Sequence, residues 1–206
     1  MTDTITETLT VPAAAARRRS IRAFEPQPIP ADDLEAILNV VRLAPSAFNV
    51  QPWRFVVVET PETKARLARA AYNQRQVTAA PAVLVLYTDT ADALATIDEV
   101  IHPGLTGEQR EKARDGILAA FANRSAEALE DWGAAQGHIA LGWLLLAAEA
   151  QGYQTSPMAG FDAEAVKTLL GLPAHVRVPA LVAIGHGAEE GFPHHRQPLA
   201  RLVRAA

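Results

Sequence analysis

Two segments of the chain are apolar at nearly every position, namely residues 81–87 and residues 178–184. A strand with one face in water alternates apolar and polar side chains, whereas a strand buried on both faces does not. We therefore expect both segments to be central strands of a sheet. A third run rich in β-branched residues, 54–59, predicts another strand.

Other segments of the chain have the sequence features of helices. Pro30 with two following aspartates predicts the start of a helix that Pro45 ends. Thr60-Pro61-Glu62 has the sequence of a helix N-terminus and predicts a helix to Ala71, and a shorter helix is expected over 163–170, ended by Gly171. These segments predict helices alternating with strands.

Two further helical segments are expected in the second half of the chain. Residues 108–131 are charged with a scattered apolar stripe, which predicts a surface helical region broken near Asn123. Residues 134–151 are apolar nearly all round, so we expect that helix to be buried by the body of the protein or by a second subunit.

The chain of 206 residues is the size of one large domain. We expect a flexible N-terminal arm over residues 1–16 and a single domain over 17–206, because the arm has scattered threonines and no continuous apolar stretch. No run approaches the roughly 18 apolar residues of a membrane span. Neither a membrane nor a secretory signal is therefore expected.

Composition narrows the possible functions. The chain has no cysteine, which excludes disulfides, thiolate nucleophiles and iron–sulfur ligation, and makes the cytoplasm the expected location. A net charge of −4 argues against a general nucleic-acid surface. No segment has Ser–His–Asp, Rossmann or P-loop spacing. His186, His194 and His195 lack a carboxylate pair at helical spacing, so we expect no metal site.

Two polar segments could carry chemistry. Residues 17–22 concentrate four arginines and Ser20, which suits a phosphate-bearing ligand, although a solvated basic segment would have the same composition. Residues 44–53 place amides, a hydroxyl and two prolines between a helix and a strand. Such a loop either holds a ligand or satisfies its own backbone through Asn49 and Gln51.

Four ordered motifs together resemble the FMN-dependent nitroreductase family. They are Arg-Arg-Ser-x-Arg-x-Phe at 18–24, Ala-Pro-Ser-Ala-x-Asn-x-Gln-Pro-Trp at 44–53, Ala-Tyr-Asn-Gln-Arg-Gln at 71–76 and Pro-Met-Ala-Gly-Phe-Asp at 157–162. The resemblance covers the chain from about residue 17 onward. It implies an α+β fold, a nitroreductase-like three-layer α/β/α arrangement with a mixed central sheet, in an intertwined homodimer with FMN at the interface.

The resemblance also assigns roles to individual residues. Arg18, Ser20 and Arg196 match phosphate and ribityl contacts, and Arg22 and Asn73 match positions at the pyrimidine end of the flavin. Residues 45–47 match a loop that the partner subunit lays against the ring, and the Gly160 N–H matches the donor near flavin N5. The full cofactor-binding set is Arg18, Arg19, Ser20, Arg22, Pro45, Ser46, Ala47, Asn49, Asn73, Gln76, Ala159, Gly160 and Arg196. Trp132 and Gln136 fit the pattern as packing and support.

The activity implied is transfer of hydride from NADH or NADPH, a transient co-substrate, through flavin N5 to a nitroaromatic, quinone or similar flat acceptor by a ping-pong mechanism. No side chain is expected to act as a catalytic group. Gln76 departs from the family, because many relatives carry a lysine there, and this predicts a flavin that is harder to reduce. Other FMN chemistry on the same fold (enal reduction, dehalogenation, flavin fragmentation) and a non-catalytic flavin-binding module remain alternatives.

Overall fold

A computed structural model describes residues 9–205 of the chain. Its sheet has four strands, β1 (Trp53–Val58), β2 (Ala82–Thr88), β3 (Gln154–Met158) and β4 (Arg177–Gly185), in the order β1-β2-β4-β3. All three neighbouring pairs are antiparallel. The two continuously apolar runs are the central strands β2 and β4, as the sequence predicts.

Nine α-helices accompany these strands in the described part of the chain. They are α1 (Val11–Arg17), α2 (Ala31–Val41), α3 (Pro61–Ala70), α4 (Arg75–Ala79), α5 (Thr90–Ala95), α6 (Glu108–Phe121), α7 (Ala126–Ala150), α8 (Ala163–Leu170) and α9 (Leu199–Leu202). Short 3-10 turns lie at Ala47–Asn49 and Ile97–Glu99.

Alternate residues of the central strands pack into two separate cores. Leu84 and Val182 point to a core shared with α2 and α7, whereas Val83 and Leu181 point to a core shared with α3 and α8. Because both faces of β2 and β4 are covered by helices, polar side chains would be buried without partners there. The three-layer α/β/α arrangement is therefore confirmed, as is the α+β class.

Helix α7 lies close against strand β2 and the start of α5 because two of its positions are glycines. A Cβ atom at Gly137 would lie 2.8 Å from Cγ2 of Thr88, and one at Gly133 would lie 2.0 Å from Oγ1 of Thr90. Both separations are shorter than van der Waals contact, so this approach requires glycine. The predicted break near Asn123 is confirmed, because α6 ends at Phe121 and α7 begins after its N-cap, Ser125.

Two expectations need correction, and one strand was not predicted. The sheet is not mixed, because its four strands are all antiparallel; the parallel pairing in residues 9–205 is an isolated bridge between Ser20 and Thr155. Strand β3 was not predicted. The expected arm is wrong for residues 11–16, which belong to α1, a helix capped by Thr10 and packed through Ala14. Leu9 and Thr10 are also placed, since the Leu9 N–H donates to the Ala150 carbonyl at 3.2 Å and Thr10 caps α1, and residues 1–8 of the expected arm lie outside the described residues.

None of the helices in residues 9–205 combines the length and hydropathy that crossing a bilayer requires.

Candidate cofactor site

The arginine-rich segment and the C-terminal tail meet in one pocket. Arg18, Ser20 and Arg22 line it from the extended segment after α1, and His194 and Arg196 line it from the tail. The pocket has a volume of about 180 Å³. Residues almost 180 positions apart thus converge on a space that suits a phosphate group, and five cofactor residues predicted from the sequence share it: Arg18, Arg19, Ser20, Arg22 and Arg196.

Arg18 is the one arginine of this pocket with an unsatisfied buried donor. Its Nη1 atom is buried and has no hydrogen-bond partner within residues 9–205. Burial, reinforced by the nearby charge of Arg196, lowers the pKa of Arg18. An unpaired guanidinium N–H inside protein costs free energy unless an acceptor reaches it. A bound anion would remove both penalties.

A buried carboxylate lies behind this pocket. Glu149, near the end of α7, is 1% exposed and its Oε1 lies 3.0 Å from Nε of Arg17. Its Oε2 has no partner in the described residues. Burial raises the pKa of Glu149, and the charges of Arg17 and Arg18 act in the opposite direction. The arginine segment therefore lies next to a buried carboxylate that, within residues 9–205, has a partner for only one of its two oxygens.

Two other arginines of the set make backbone contacts. Nη1 of Arg19 donates to the carbonyls of Ala16 at 2.7 Å, of Arg17 at 3.0 Å and of Arg18 at 2.9 Å, so this side chain caps the end of α1. Arg196 is exposed and donates to the His195 carbonyl at 2.8 Å. Both side chains use Nη1 for these contacts, so Arg196 keeps its Nε and Nη2 donors for a ligand.

A second group of predicted residues lies in the turn after α3. Tyr72 and Asn73 both adopt positive φ angles, of 56° and 57°. Asparagine tolerates this conformation, whereas for tyrosine it is an outlier of the kind that recurs at ligand sites. The Asn73 side chain is exposed.

The same turn contacts the loop after β3. The Gln74 side chain donates to the Gly160 carbonyl at 2.8 Å, and the buried Gln76 donates to Gln74. Ala159 and Gly160 are both exposed, and open space adjoins Gly160. Asn73, Gln76, Ala159 and Gly160 are thus brought together, with Gln74 as a member that sequence reasoning missed.

Glu189 connects the two groups. Its Oε1 accepts from the Arg22 backbone N–H at 2.6 Å, and its Oε2 lies 3.5 Å from Nη2 of Arg75. One carboxylate thus joins the arginine segment to helix α4. Neither Glu189 nor Glu149 stands out in the sequence, because their roles arise only from contacts between distant segments.

The loop at 45–49 is not joined to these groups. Its contacts lead elsewhere: the Ala47 N–H donates to Gln136 at 3.1 Å, and the Asn49 side chain donates to the Val100 carbonyl at 2.9 Å. Gln51 donates its side-chain amide to the Asn49 carbonyl, so the amides do satisfy nearby backbone. Within residues 9–205, no hydrogen bond or ion pair links Pro45, Ser46, Ala47 or Asn49 to the arginine pocket. Gln136 acts as the support that the sequence predicts.

One cluster of potential metal ligands lies away from all of these residues. Ligand atoms of Asp89, Glu130 and His175 lie within 4.8 Å of one another. Both Glu130 oxygens already accept backbone N–H groups at the start of α5, at 3.1 and 3.0 Å, and Asp89 caps the same helix. These bonds account for the cluster as a helix-capping arrangement.

Comparison with known proteins identifies the family. The model of the nitroreductase family matches residues 15–186. The chain belongs to the nitroreductase family. Membership makes it an oxidoreductase, as the sequence motifs predict.

Several relatives are similar to this chain over most of its length. A Thermus thermophilus protein named NADH dehydrogenase is 53% identical over 92% of this chain and 93% of its own length. The oxygen-insensitive NAD(P)H nitroreductase of Salmonella typhimurium is 31% identical over 91% and 95%, respectively. The CLA biosynthesis enone reductase of Lactiplantibacillus plantarum is 33% identical over 84% and 83%.

A solved nitroreductase-type structure from Exiguobacterium sibiricum, in complex with FMN, superposes with a TM-score of 0.89. It is 30% identical to this chain and covers 98% of it, and the alignment spans 100% of that structure's chain. The fold of residues 9–205 is thus the nitroreductase fold throughout.

Proposed function

We propose that this protein is an FMN-dependent NAD(P)H oxidoreductase that reduces nitroaromatics, quinones or similar flat acceptors. The observation that carries the proposal is the convergence of Arg18, Ser20, Arg22 and Arg196 on one small pocket. The cofactor is FMN, and NADH or NADPH is a transient co-substrate. Family membership supports the reaction class.

The residues present fit this cofactor. The orphaned Arg18 Nη1 and the exposed Arg196 provide donors from two ends of the chain for one phosphate. Arg22 and Asn73 would bind the pyrimidine end of the flavin, and the Gly160 N–H would hydrogen-bond near N5. No partner for that N–H occurs within residues 9–205, so it is free to donate.

The chemistry that FMN supplies is two-electron hydride transfer at its N5 atom. The protein holds the phosphate with arginines, stabilises negative charge near the pyrimidine end through Arg22, and donates a hydrogen bond from Gly160. None of these groups has to accept or release a proton. Donor and acceptor would use the same site in turn, which gives ping-pong kinetics.

A homodimer is part of the proposal. Within residues 9–205 no hydrogen bond or ion pair joins the loop at 45–49 to the arginine pocket of its own chain, and a partner's loop would complete the site. Helix α7 exposes Ile139 and Trp143, and β1 is an edge strand with Val57 exposed beside a groove of about 850 Å³. Unpaired edges and exposed apolar side chains are typical of surfaces that another chain covers. A cytoplasmic location and the absence of nucleic-acid or membrane partners stay predictions.

The decisive experiment is anaerobic. Purified protein should be yellow and release free FMN on denaturation. NADH or NADPH should bleach the bound flavin, and addition of a nitroaromatic or quinone should restore its colour. Protein that neither contains nor binds FMN would refute the cofactor, and bleaching without recovery by any acceptor would leave a flavin-binding module instead.

A second acceptor class deserves a place in the same panel. One relative that is 33% identical to this chain is named an enone reductase, which supports testing α,β-unsaturated carbonyl compounds as acceptors here. The two acceptor classes are separated by kcat/KM measured with the same preparation. A preference of tenfold or more for an enone over both a nitroaromatic and a quinone would reassign the substrate while leaving FMN in place.

A further inference from the structure

Three amide groups form a chain that ends at the Gly160 peptide. Nε2 of Gln74 donates to the Gly160 carbonyl at 2.8 Å and to the Ala71 carbonyl at 3.1 Å. Oε1 of Gln74 accepts from Nε2 of Gln76 at 3.2 Å. Because both carbonyls can only accept, the orientation of the Gln74 amide is fixed by its partners.

Burial holds the far end of this chain in place. Gln76 is 5% exposed and lies on α4 beside the fully buried Val77. Gln74 is half-buried, and Gly160 is exposed. The chain therefore runs from the protein interior to an exposed peptide, so the rigid end is Gln76 and the end available to a ligand is Gly160.

A second contact makes the arrangement specific. The Asp162 N–H donates to the Ala70 carbonyl at 2.8 Å, so the loop after β3 is attached to the turn after α3 at two points. The contact at Asp162 is between backbone groups and does not itself involve a side chain. The contact at Gly160 depends wholly on the Gln74 side chain, and it is the one next to the free Gly160 N–H.

We propose that Gln74 is a positioning residue that fixes the Gly160 N–H for the flavin, and that Gln76 locks Gln74 in the donating orientation. This inference rests on the proposed function for the identity of the ligand. Glycine has no side chain to restrict its φ and ψ angles, so an external hydrogen bond to its carbonyl is an effective restraint. A preorganised donor stabilises developing charge without reorganising during the reaction.

The proposal explains the residue at position 76. Gln76 is buried and donates Nε2 to Oε1 of Gln74, and a neutral amide does this without burying the charge that a lysine ammonium would bring. In this chain the position serves the Gln74 amide instead of presenting a charge to the flavin. The absent cation and the present hydrogen-bond chain are thus two consequences of one residue.

Three variants of the full-length protein test this role. Gln74→Met removes the donor and keeps the length of the side chain, and Gln74→Glu removes the donor and adds charge. Gln76→Met leaves the Gln74 amide without its buried anchor. Gln27→Glu, on an exposed loop, is the matched control for a charge change at glutamine.

The first measurement needs no cofactor. In apo protein, amide hydrogen exchange of a peptide containing residues 159–162 should be at least fivefold faster in both Gln74 variants, less accelerated in Gln76→Met and unchanged in Gln27→Glu. Unchanged exchange in Gln74→Met would overturn the proposal. Acceleration in Gln74→Glu alone would also overturn it, because charge and not the lost hydrogen bond would be the cause.

The second measurement uses FMN-loaded protein. The rate of anaerobic flavin reduction by NADH or NADPH should fall at least tenfold in Gln74→Met, with the FMN dissociation constant within about threefold of the wild-type value. Equal rates would overturn the positioning role. Failure of the wild-type protein to bind FMN would instead refute the proposed function, and the exchange measurement would still decide whether Gln74 restrains the loop.

Discussion

The environment of a single acid, Glu149, shows how the arginine pocket is balanced. Its carboxylate is buried beneath Arg17 and Arg18, but only one of its oxygens is paired. Arg17 is largely solvated, with 56% of its side chain exposed, so its charge is screened. Burial therefore outweighs the ion pair and raises the pKa of Glu149.

This balance predicts how stability depends on pH. Because the folded-state pKa of Glu149 is raised, its protonated form is favoured by folding, and that stabilisation is lost as pH rises through the folded pKa. In apo protein, the Tm of Glu149→Gln relative to wild type should therefore increase from acid to neutral pH. Thermal unfolding across this range checks it, with the exposed Glu111→Gln as control. A Tm difference that is constant, or that falls with pH, would contradict this reading.

The tail arginine gives a direct test of the phosphate contact. Arg196→Ala should weaken FMN binding by about 1.5–3 kcal/mol, the scale of a charge-assisted hydrogen bond, or roughly 10- to 150-fold in Kd. Since Arg196 is exposed, unfolding of the apo form should barely change. Fluorescence titration of apo protein with FMN measures the effect, and Arg201→Ala in the same tail is the control. Equal affinities for Arg196→Ala and wild type would remove Arg196 from the site.

Several site residues could be predicted because local motifs carry them. Arg18, Ser20 and Arg22 occupy one motif, and Asn73 occupies another. Gln74 was not singled out although it lies in the same motif as Asn73, since its partner Gly160 is 86 positions away. Long-range hydrogen bonds leave no mark on the local spacing, so positioning residues of this kind become visible only in the fold.

At the scale of elements, the close approach of α7 to the sheet is the most exacting contact. A methyl group at Gly137 would meet Thr88 at 2.8 Å and Pro179 at 3.2 Å. Gly137→Ala should therefore lower the free energy of unfolding by about 1–3 kcal/mol through overpacking. Gly116 in α6 has nothing within 4 Å of its virtual Cβ, so Gly116→Ala should instead raise it by up to about 1 kcal/mol.

Urea denaturation of both variants at one protein concentration measures these changes, because association would otherwise shift the midpoints. Opposite signs are expected for two substitutions of the same kind. Stabilisation by Gly137→Ala would mean that α7 is able to move away from β2 at little cost.

The elements that sequence patterns predict are those with strong periodicity. Strands β2 and β4 were predicted because uninterrupted apolar runs indicate burial on both faces. Strand β3, Gln-Thr-Ser-Pro-Met, has no such run and contains Pro157, which is tolerated because β3 is at the edge of the sheet. Helix α1 was missed because its alanines resemble an unstructured arm, whereas its stability comes from packing on α7.

At the scale of the whole molecule, one chain leaves apolar surface uncovered. A cavity of about 400 Å³ between α1, α2 and α7 is lined by Val11, Val40 and Trp143, and all three are exposed. These side chains and the edge of β1 together expose more apolar surface than the isolated hydrophobic residues that are usual on a monomer. In the described part of the chain, the loop at 45–49 makes its hydrogen bonds to Gln136 and Val100 and not to the arginine pocket of its own chain, so we expect association and cofactor binding to depend on each other.

A charge on α7 tests that dependence. Trp143→Glu should weaken dimerisation at least 100-fold, because a carboxylate would be buried without a partner in the interface. Sedimentation velocity at micromolar concentration should show a dimer for wild type and a monomer for the variant. FMN affinity should also be lower in this variant than in wild type, because the partner's loop would no longer complete the site. Leu118→Glu, equally exposed at 38% but on α6, should stay dimeric. A Trp143→Glu monomer that binds FMN as tightly as wild type would show that each chain forms its site alone, and the proposed role of residues 45–49 would be lost.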